Sequence, residues 1–440
     1  MTSDEEDVIE AILEQTTPST LEEHFISSVT NSEVDKGELF HAENGEKGIN
    51  FPAKKILEEG ELWLMPWWLP PIRWFGKPKV ILASIMIVLA SSLIVIFPDG
   101  EIILIGPPQE LITWQEEHEL MTGLDSFVGW DGTGVDVCIV DTGIDLGHPD
   151  LSGVTLAGWT DVINQESEPY DDEGHGTSMA GILVADGGLN GIAKGVNLHV
   201  AKALASDGSG DDQTVATAVD WCVQQEVDII SMSLGGTAGL RFFGQSTDES
   251  ENSVQAALDT GIYVVAAAGN DGGTDDDGDV ESPGSIQRVI CVGGHDRTGD
   301  MWEGSSQGDN NGGFFPPRLP NSDPDMKPEI TGGGHEVPVL IIPSSDYPDY
   351  AWGWSSGTSA ATVYVTGALA ITLQAAPNLQ PNAIDGGPDA ILNVKETLME
   401  TASDAPESHD DHEGYGQLDA AALFQNLTGF DPSVPPTGAF

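Results

Sequence analysis

VDVCIVDTGIDLGHPDL, residues 135–151, is a short, nearly apolar run that ends abruptly in an acid and a glycine turn. Its first six residues are rich in Val and Ile, which suit a strand buried on both faces rather than an alternating one. Similar runs recur at 198–203, 227–231, 262–268 and 289–292, with helical-looking segments between them. Strands of this kind alternating with helices predict an α/β fold: a doubly wound, mainly parallel sheet with helices on both faces. In such folds the ligand site lies at the carboxyl ends of the strands. Asp141 stands at that end of the first run.

Two further residues share this setting. His175 lies in DEGHGTSMAG, where flanking glycines let the backbone turn sharply before an apolar helix. Ser359 follows a Gly-Thr turn at the head of another apolar helix, in SSGTSAATVYVTGALAI. Alone, each fits a structural role: a turn former for Asp141, a packed ring for His175, a helix cap for Ser359. Together they form a chemical set. A serine nucleophile needs a base to take its proton, and that base needs a carboxylate to hold its tautomer.

The order Asp, His, Ser, each inside a glycine-rich turn, resembles the subtilisin-like serine proteases, the subtilases of peptidase family S8. The resemblance covers roughly residues 110–425. DTGIDLGHPDL is similar to the family's aspartate motif, HGTSMAG to its histidine motif and GTSAA to its serine motif. It implies Asp141, His175 and Ser359 as a catalytic triad and Asn270, in AAAGND, as the side-chain donor to the oxyanion. It also implies that Ser233, Leu234 and Gly235 form one wall of the primary specificity pocket, and Ala268 and Gly269 the other. Gly208, Ser209 and Gly210 would then be the edge that pairs with extended substrate. The expected activity is endopeptidase hydrolysis of polypeptide through an acyl-enzyme, needing no cofactor for the chemistry. The alternative is a catalytically inactive binding protein of the same fold.

Three positions depart from the family pattern. Val363 and Tyr364 follow Thr362 where Pro-His is usual, and Ser178 stands where a second histidine is common. The family's propeptide has no clear counterpart just before the domain, which leaves open how the enzyme is restrained. Asp150 matches a position that binds structural calcium in some relatives, although the loop ADGGLNG at 185–191 looks shortened. The acidic run at 271–281 reads as a solvated loop, and His409 and His412 lack a third ligand nearby. Cys138, Cys222 and Cys291 sit in or beside apolar segments. Their odd number and spacing predict buried, inert thiols rather than a disulfide framework or a zinc site.

Outside the expected peptidase domain, 108–426, the chain changes character. Residues 1–62 are acidic and polar, and read as weakly ordered. Residues 63–79 are rich in Trp and carry Arg73, Lys77 and Lys79. From 80 to 97 the sequence VILASIMIVLASSLIVIF has no charge, long enough for one transmembrane helix. The basic flank precedes it, so the positive-inside rule places the N-terminus in the cytoplasm and the peptidase domain outside. Residues 427–440 read as a short tail containing proline.

The chain of 440 residues holds 72 Asp and Glu against 15 Lys and Arg, a net charge of -57. Nucleic acid is excluded as a partner, because phosphate binding needs clustered basic residues. Most of the excess lies after residue 98, in the domain itself. Such a surface repels itself, and the screening length falls from about 10 Å at 0.1 M salt to about 3 Å at 1 M. The expectation is a salt-adapted protein. Its melting temperature should climb between low and molar KCl, and a flat or falling curve would refute this reading.

Overall fold

The computed structural model describes residues 106–436 apart from a few positions within 237–247, 275–277, 312–319 and 346–347, together with four short strands before residue 106. Those four are β1 (Leu39–Ala42), β2 (Phe51–Pro52), β3 (Ile94–Ile96) and β4 (Ile102–Leu104). Then come α1 (Gln109–Met121), β5 (Asp136–Asp141), β6 (Gly158–Asp161), α2 (His175–Val184), β7 (Asn197–Lys202) and β8 (Ser209–Asp211). The middle of the chain supplies α3 (Asp212–Gln224), β9 (Ile229–Met232), β10 (Leu234–Gly235), α4 (Glu249–Asp259), β11 (Tyr263–Ala267) and β12 (Ile290–His295). The last part adds β13 (Ile330–Gly333), β14 (Val337–Ile341), β15 (Ala351–Ser355), α5 (Thr358–Ala375), α6 (Pro388–Glu400) and α7 (Ala420–Thr428).

Seven strands make the central sheet, in the order β13-β12-β11-β9-β5-β7-β6. Every pairing within it is parallel. β9 and β11 are buried along their whole length, and β5 everywhere but its first residue, as continuous Val and Ile runs require. From β5 the chain winds first toward β6 and β7, then returns to β9 and proceeds the other way. The switch point therefore falls between β5 and β9, where a doubly wound sheet opens a crevice.

Two helix pairs cover the sheet. α3 and α4 pack on each other and on β5, β7 and β11, while α2 and α5 form a second pair against β5, β9, β11, β12 and β13. α5 is buried from Thr358 through Leu373, so it needs no polar face. This also explains Val363 and Tyr364: both are buried side chains of an unbroken helix. Ser178, in place of the second histidine, donates to Leu340 O at 2.7 Å and ties α2 to β14.

One expectation needs revision. Cys138 on β5 and Cys222 on α3 form a disulfide, with Sγ–Sγ 2.05 Å and Cα–Cα 6.0 Å. The layer packing brings together two residues that are 84 apart in sequence, which local spacing cannot signal. Cys291 lies outside the bridge, buried beside Ala268 and Val280. The C-terminal tail is docked: Pro432 O accepts from Val128 N and Val434 O from Trp130 Nε1. The expected span at 80–97 lies outside the described residues except for β3, which pairs antiparallel with β4 rather than forming helix. Among the described residues no helix is long and apolar enough to cross a membrane. Residues 1–37 and 63–79 also lie outside the described residues.

The core holds several neutral histidines. His118 on α1 is buried against Gly333 and Tyr364, and its Nδ1 has no partner among the described residues. Burial, helped by nearby His295, pulls its pKa from 6.5 down to about 3. Burial lowers those of His148 and His295 as well. Below pH 6.5 the unfolded chain therefore binds protons that the folded state refuses, and stability falls with pH at up to about 1.4 kcal/mol per unit for each such group. Asp228, raised by burial to about 6, and Glu119, also raised by burial, oppose this but are two groups against three. Urea midpoints measured from pH 7 to 5 should fall, and His118→Gln should flatten that slope. An unchanged slope in the variant would remove His118 from the account.

Candidate active site

Asp141 ends β5 with no solvent exposure. Its Oδ1 and Oδ2 lie 2.8 and 3.0 Å from His175 Nδ1, and Oδ1 also accepts from Thr142 N at 2.7 Å. The two residues meet because two chain segments touch where only glycine fits. A Cβ on Gly143 would fall 2.1 Å from Tyr170 O, and one on Gly176 2.2 Å from Gly143 O. Thr142 Oγ1 locks the contact by accepting from Gly176 N at 2.8 Å.

Two supporting residues escaped the sequence reading. Asp171 is buried, and its carboxylate accepts from Gly174 N, Thr177 N and Thr177 Oγ1 at 2.6–2.9 Å and from Thr142 Oγ1 at 3.0 Å. It collects the unpaired N–H groups at the head of α2, where a carboxylate also meets the positive end of the helix dipole. The signal was legible: an acid four residues before His175, just ahead of an apolar helix. Lys202, at the end of β7, is fully buried and donates to Thr142 O at 2.5 Å, Leu204 O at 2.9 Å and Asp172 Oδ1 at 2.7 Å. Nothing local marks that lysine as buried.

Ser359 sits one residue inside α5, with Gly357 at the cap, so the capping role considered for it is not the one it has. Its Oγ donates to Ser233 O at 3.3 Å, and Ser233 Oγ donates to Ser359 O at 3.0 Å. The head of α5 is thereby bonded to the wall after β9. Asn270 binds it from the other side: its Oδ1 accepts from Thr358 N at 2.9 Å and Thr358 Oγ1 at 3.1 Å. That assignment leaves Nδ2 buried and without a partner among the described residues. A buried amide N–H₂ with nothing to bond is costly unless something else binds there.

The residues expected to bind substrate lie in or beside three strands. Ser233 precedes β10, which contains Leu234 and Gly235; Ala268 and Gly269 follow β11; Gly208 precedes β8, which contains Ser209 and Gly210. Between β8 and β10 runs β1, antiparallel to both, with His41 opposite Ser209 on one side and Gly235 on the other. The chain's own extended segment thus adds a strand where substrate was expected to do so. This pairing requires β1 and the sheet to share one side of any membrane.

The expected calcium ligand serves another purpose. Asp150 is buried, with Oδ1 accepting from Gly188 N at 2.8 Å and Oδ2 from Leu189 N at 2.9 Å and Trp352 Nε1 at 2.7 Å. The shortened loop has closed over the carboxylate with N–H donors, and a Cβ on Gly187 would strike Oδ1 at 2.2 Å. Among the described residues no three His, Cys, Asp or Glu converge on a metal site.

A parallel doubly wound sheet with a buried Asp-His pair at its switch point, and a serine at the head of the central helix, defines a hydrolase-like site. The Subtilase family profile matches residues 132–416, and the chain belongs to that family. It is 37% identical over 274 residues to serine protease AprX of Bacillus subtilis, an alignment covering 58% of this chain and 60% of that protein. It is 31% identical over 297 residues to subtilisin DY of Bacillus licheniformis, covering 67% and 93% respectively. An intracellular serine protease of Paenibacillus polymyxa is 31% identical over 285 residues, covering 61% and 78%.

Proposed function

We propose that the chain is a serine endopeptidase in which Ser359 is the nucleophile, His175 the base, Asp141 the residue that orients it and Asn270 the oxyanion donor. The observation that carries this reading is the Nδ2 of Asn270, held beside the head of α5 without a partner among the described residues, in a fold that also buries an Asp141–His175 pair. With Nδ1–H directed to Asp141, the other ring nitrogen of His175 is the basic one. Ser359 Oγ attacks the scissile carbonyl carbon and its proton passes to His175. The negative charge that develops on the carbonyl oxygen is met by Asn270 Nδ2 and the backbone N–H of Ser359. As the C–N bond breaks, His175 returns the proton to the leaving amine, and water then releases the acyl group by the same path.

The substrate class is extended polypeptide. Support comes from β1, an extended segment that pairs antiparallel with β8 on one side and β10 on the other. We further propose that residues 80–97 tether the enzyme to a membrane with the peptidase domain outside, a reading supported by the apolar run and its basic flank. Tethering in that sense and the pairing of β1 are mutually exclusive states of one chain.

Ser359→Ala and His175→Ala should each abolish nearly all peptide hydrolysis, and the double variant should be hardly worse, since they act as one unit. Asn270→Ala should lower kcat by roughly 10²- to 10³-fold with KM little changed, a magnitude known from subtilisins rather than derived for this chain. A fluorophosphonate probe should label wild type at Ser359. Absence of labelling in folded protein would favour the inactive binding protein, and activity surviving in Ser359→Ala would overturn the assignment. For the tether, the full chain should stay with membranes through alkaline carbonate extraction, and release into the supernatant would refute it.

A further inference from the structure

The two walls of the primary pocket carry no charged residue, and apart from Leu234 their residues are small, so they set its width without setting its charge. What joins them is the segment 281–282. Glu281 N donates to Ala268 O at 2.8 Å, on one wall. The next residue, Ser282, exchanges both backbone hydrogen bonds with Gly236, at the end of the other wall, at 2.9 and 3.0 Å. These two residues therefore cross between the walls. The Glu281 side chain lies against the wall glycine: a Cβ built on Gly269 would fall 2.9 Å from Glu281 Cγ.

Glu281 is half-buried, and its carboxylate has no hydrogen bond or ion pair among the described residues. Among the described residues no cation is spare to neutralise it. Lys194, Lys202, Arg288, Arg297, Lys327 and Lys395 are each paired with another acid. The neighbouring acids differ: Asp271 accepts from Ser306 Oγ, and Asp276 from Gly278 N and Gln307 N. Glu281 keeps its acceptor capacity beside the wall glycine Gly269.

We infer that Glu281 sets the primary specificity of the enzyme by receiving a cationic side chain, Lys or Arg, of the residue whose carbonyl is cleaved. The aliphatic stem of such a residue packs between the flat walls, and its ammonium or guanidinium head makes charge-assisted hydrogen bonds at the far end. An acidic side chain there meets like charge, and a large apolar one covers a carboxylate without replacing its hydration. The inference rests on the endopeptidase reading and specifies the substrate class of the same site.

The test uses the full chain at fixed KCl on matched peptide p-nitroanilides that end in Lys, Arg, Phe, Leu or Glu. Wild type should have the highest kcat/KM on Lys and Arg and the lowest on Glu. Glu281→Gln, which keeps the shape, should cut the Lys-to-Phe ratio of kcat/KM by roughly tenfold to a hundredfold, the worth of a hydrogen bond to a charged group. Glu281→Lys should invert the order of Lys and Glu. Equal wild-type rates on Lys and Phe, or a Lys-to-Phe ratio unmoved in Glu281→Gln, would overturn the inference while leaving the peptidase reading intact. Failure to hydrolyse any of the five, together with no fluorophosphonate labelling, would overturn both.

Discussion

The close approach of two glycines, Gly143 and Gly176, is the contact on which the site depends. It lets the turn after β5 and the first turn of α2 touch backbone to backbone, which puts the Asp141 carboxylate against the His175 ring. No side-chain interaction could substitute, because any Cβ at either position would collide with a carbonyl oxygen. The remaining local interactions defend this contact. Thr142 bonds across it, Asp171 fastens the helix head, and Lys202 holds the turn's carbonyl from beneath.

That arrangement places several charged groups where water cannot reach them, which is costly unless each is fully bonded. Asp171 meets this demand with N–H and O–H donors alone, and Asp150 does the same with its loop and Trp352. Away from the site, Glu329 is fully buried between Lys327 and Lys395, at 2.8 and 2.7 Å, and also accepts from Cys291 N. This network spans β12, the entry to β13 and helix α6. Removing one member would leave an uncompensated charge in the core, so the three behave as a single structural unit.

How much of this was legible depends on whether the signal is local. The five apolar runs gave the sheet because a strand buried on both faces must be apolar throughout, whatever surrounds it. Asp141, His175, Ser359 and Asn270 were legible because each lies in a glycine turn whose residues need no distant partner to be recognised. The Cys138–Cys222 bridge was not legible, since only the packing of α3 on β5 brings the residues together. The burial of Lys202 depends likewise on where three carbonyl and carboxylate oxygens converge in the folded chain. Asp150 was misread for a related reason: a carboxylate near a loop suits a cation or N–H donors equally, and only the path of residues 187–189 distinguishes them.

The buried lysines bear on the acidity of the whole. Lys202, Lys327 and Lys395 are all within 2% of zero exposure, so three of the domain's few cations contribute almost nothing to the surface field, and two of them, Lys327 and Lys395, neutralise the buried Glu329. Arg288 and Arg297 are mostly covered as well, and among the described residues only Lys194 stands in the open, at 38% exposure beside Asp186. The described exterior is therefore more uniformly anionic than the net charge alone conveys. In water a surface ion pair is worth little, so scattered lysines would have added little stability. Placed inside, Lys327 and Lys395 neutralise a buried acid, and the self-repulsion left outside is of the kind that dissolved ions screen.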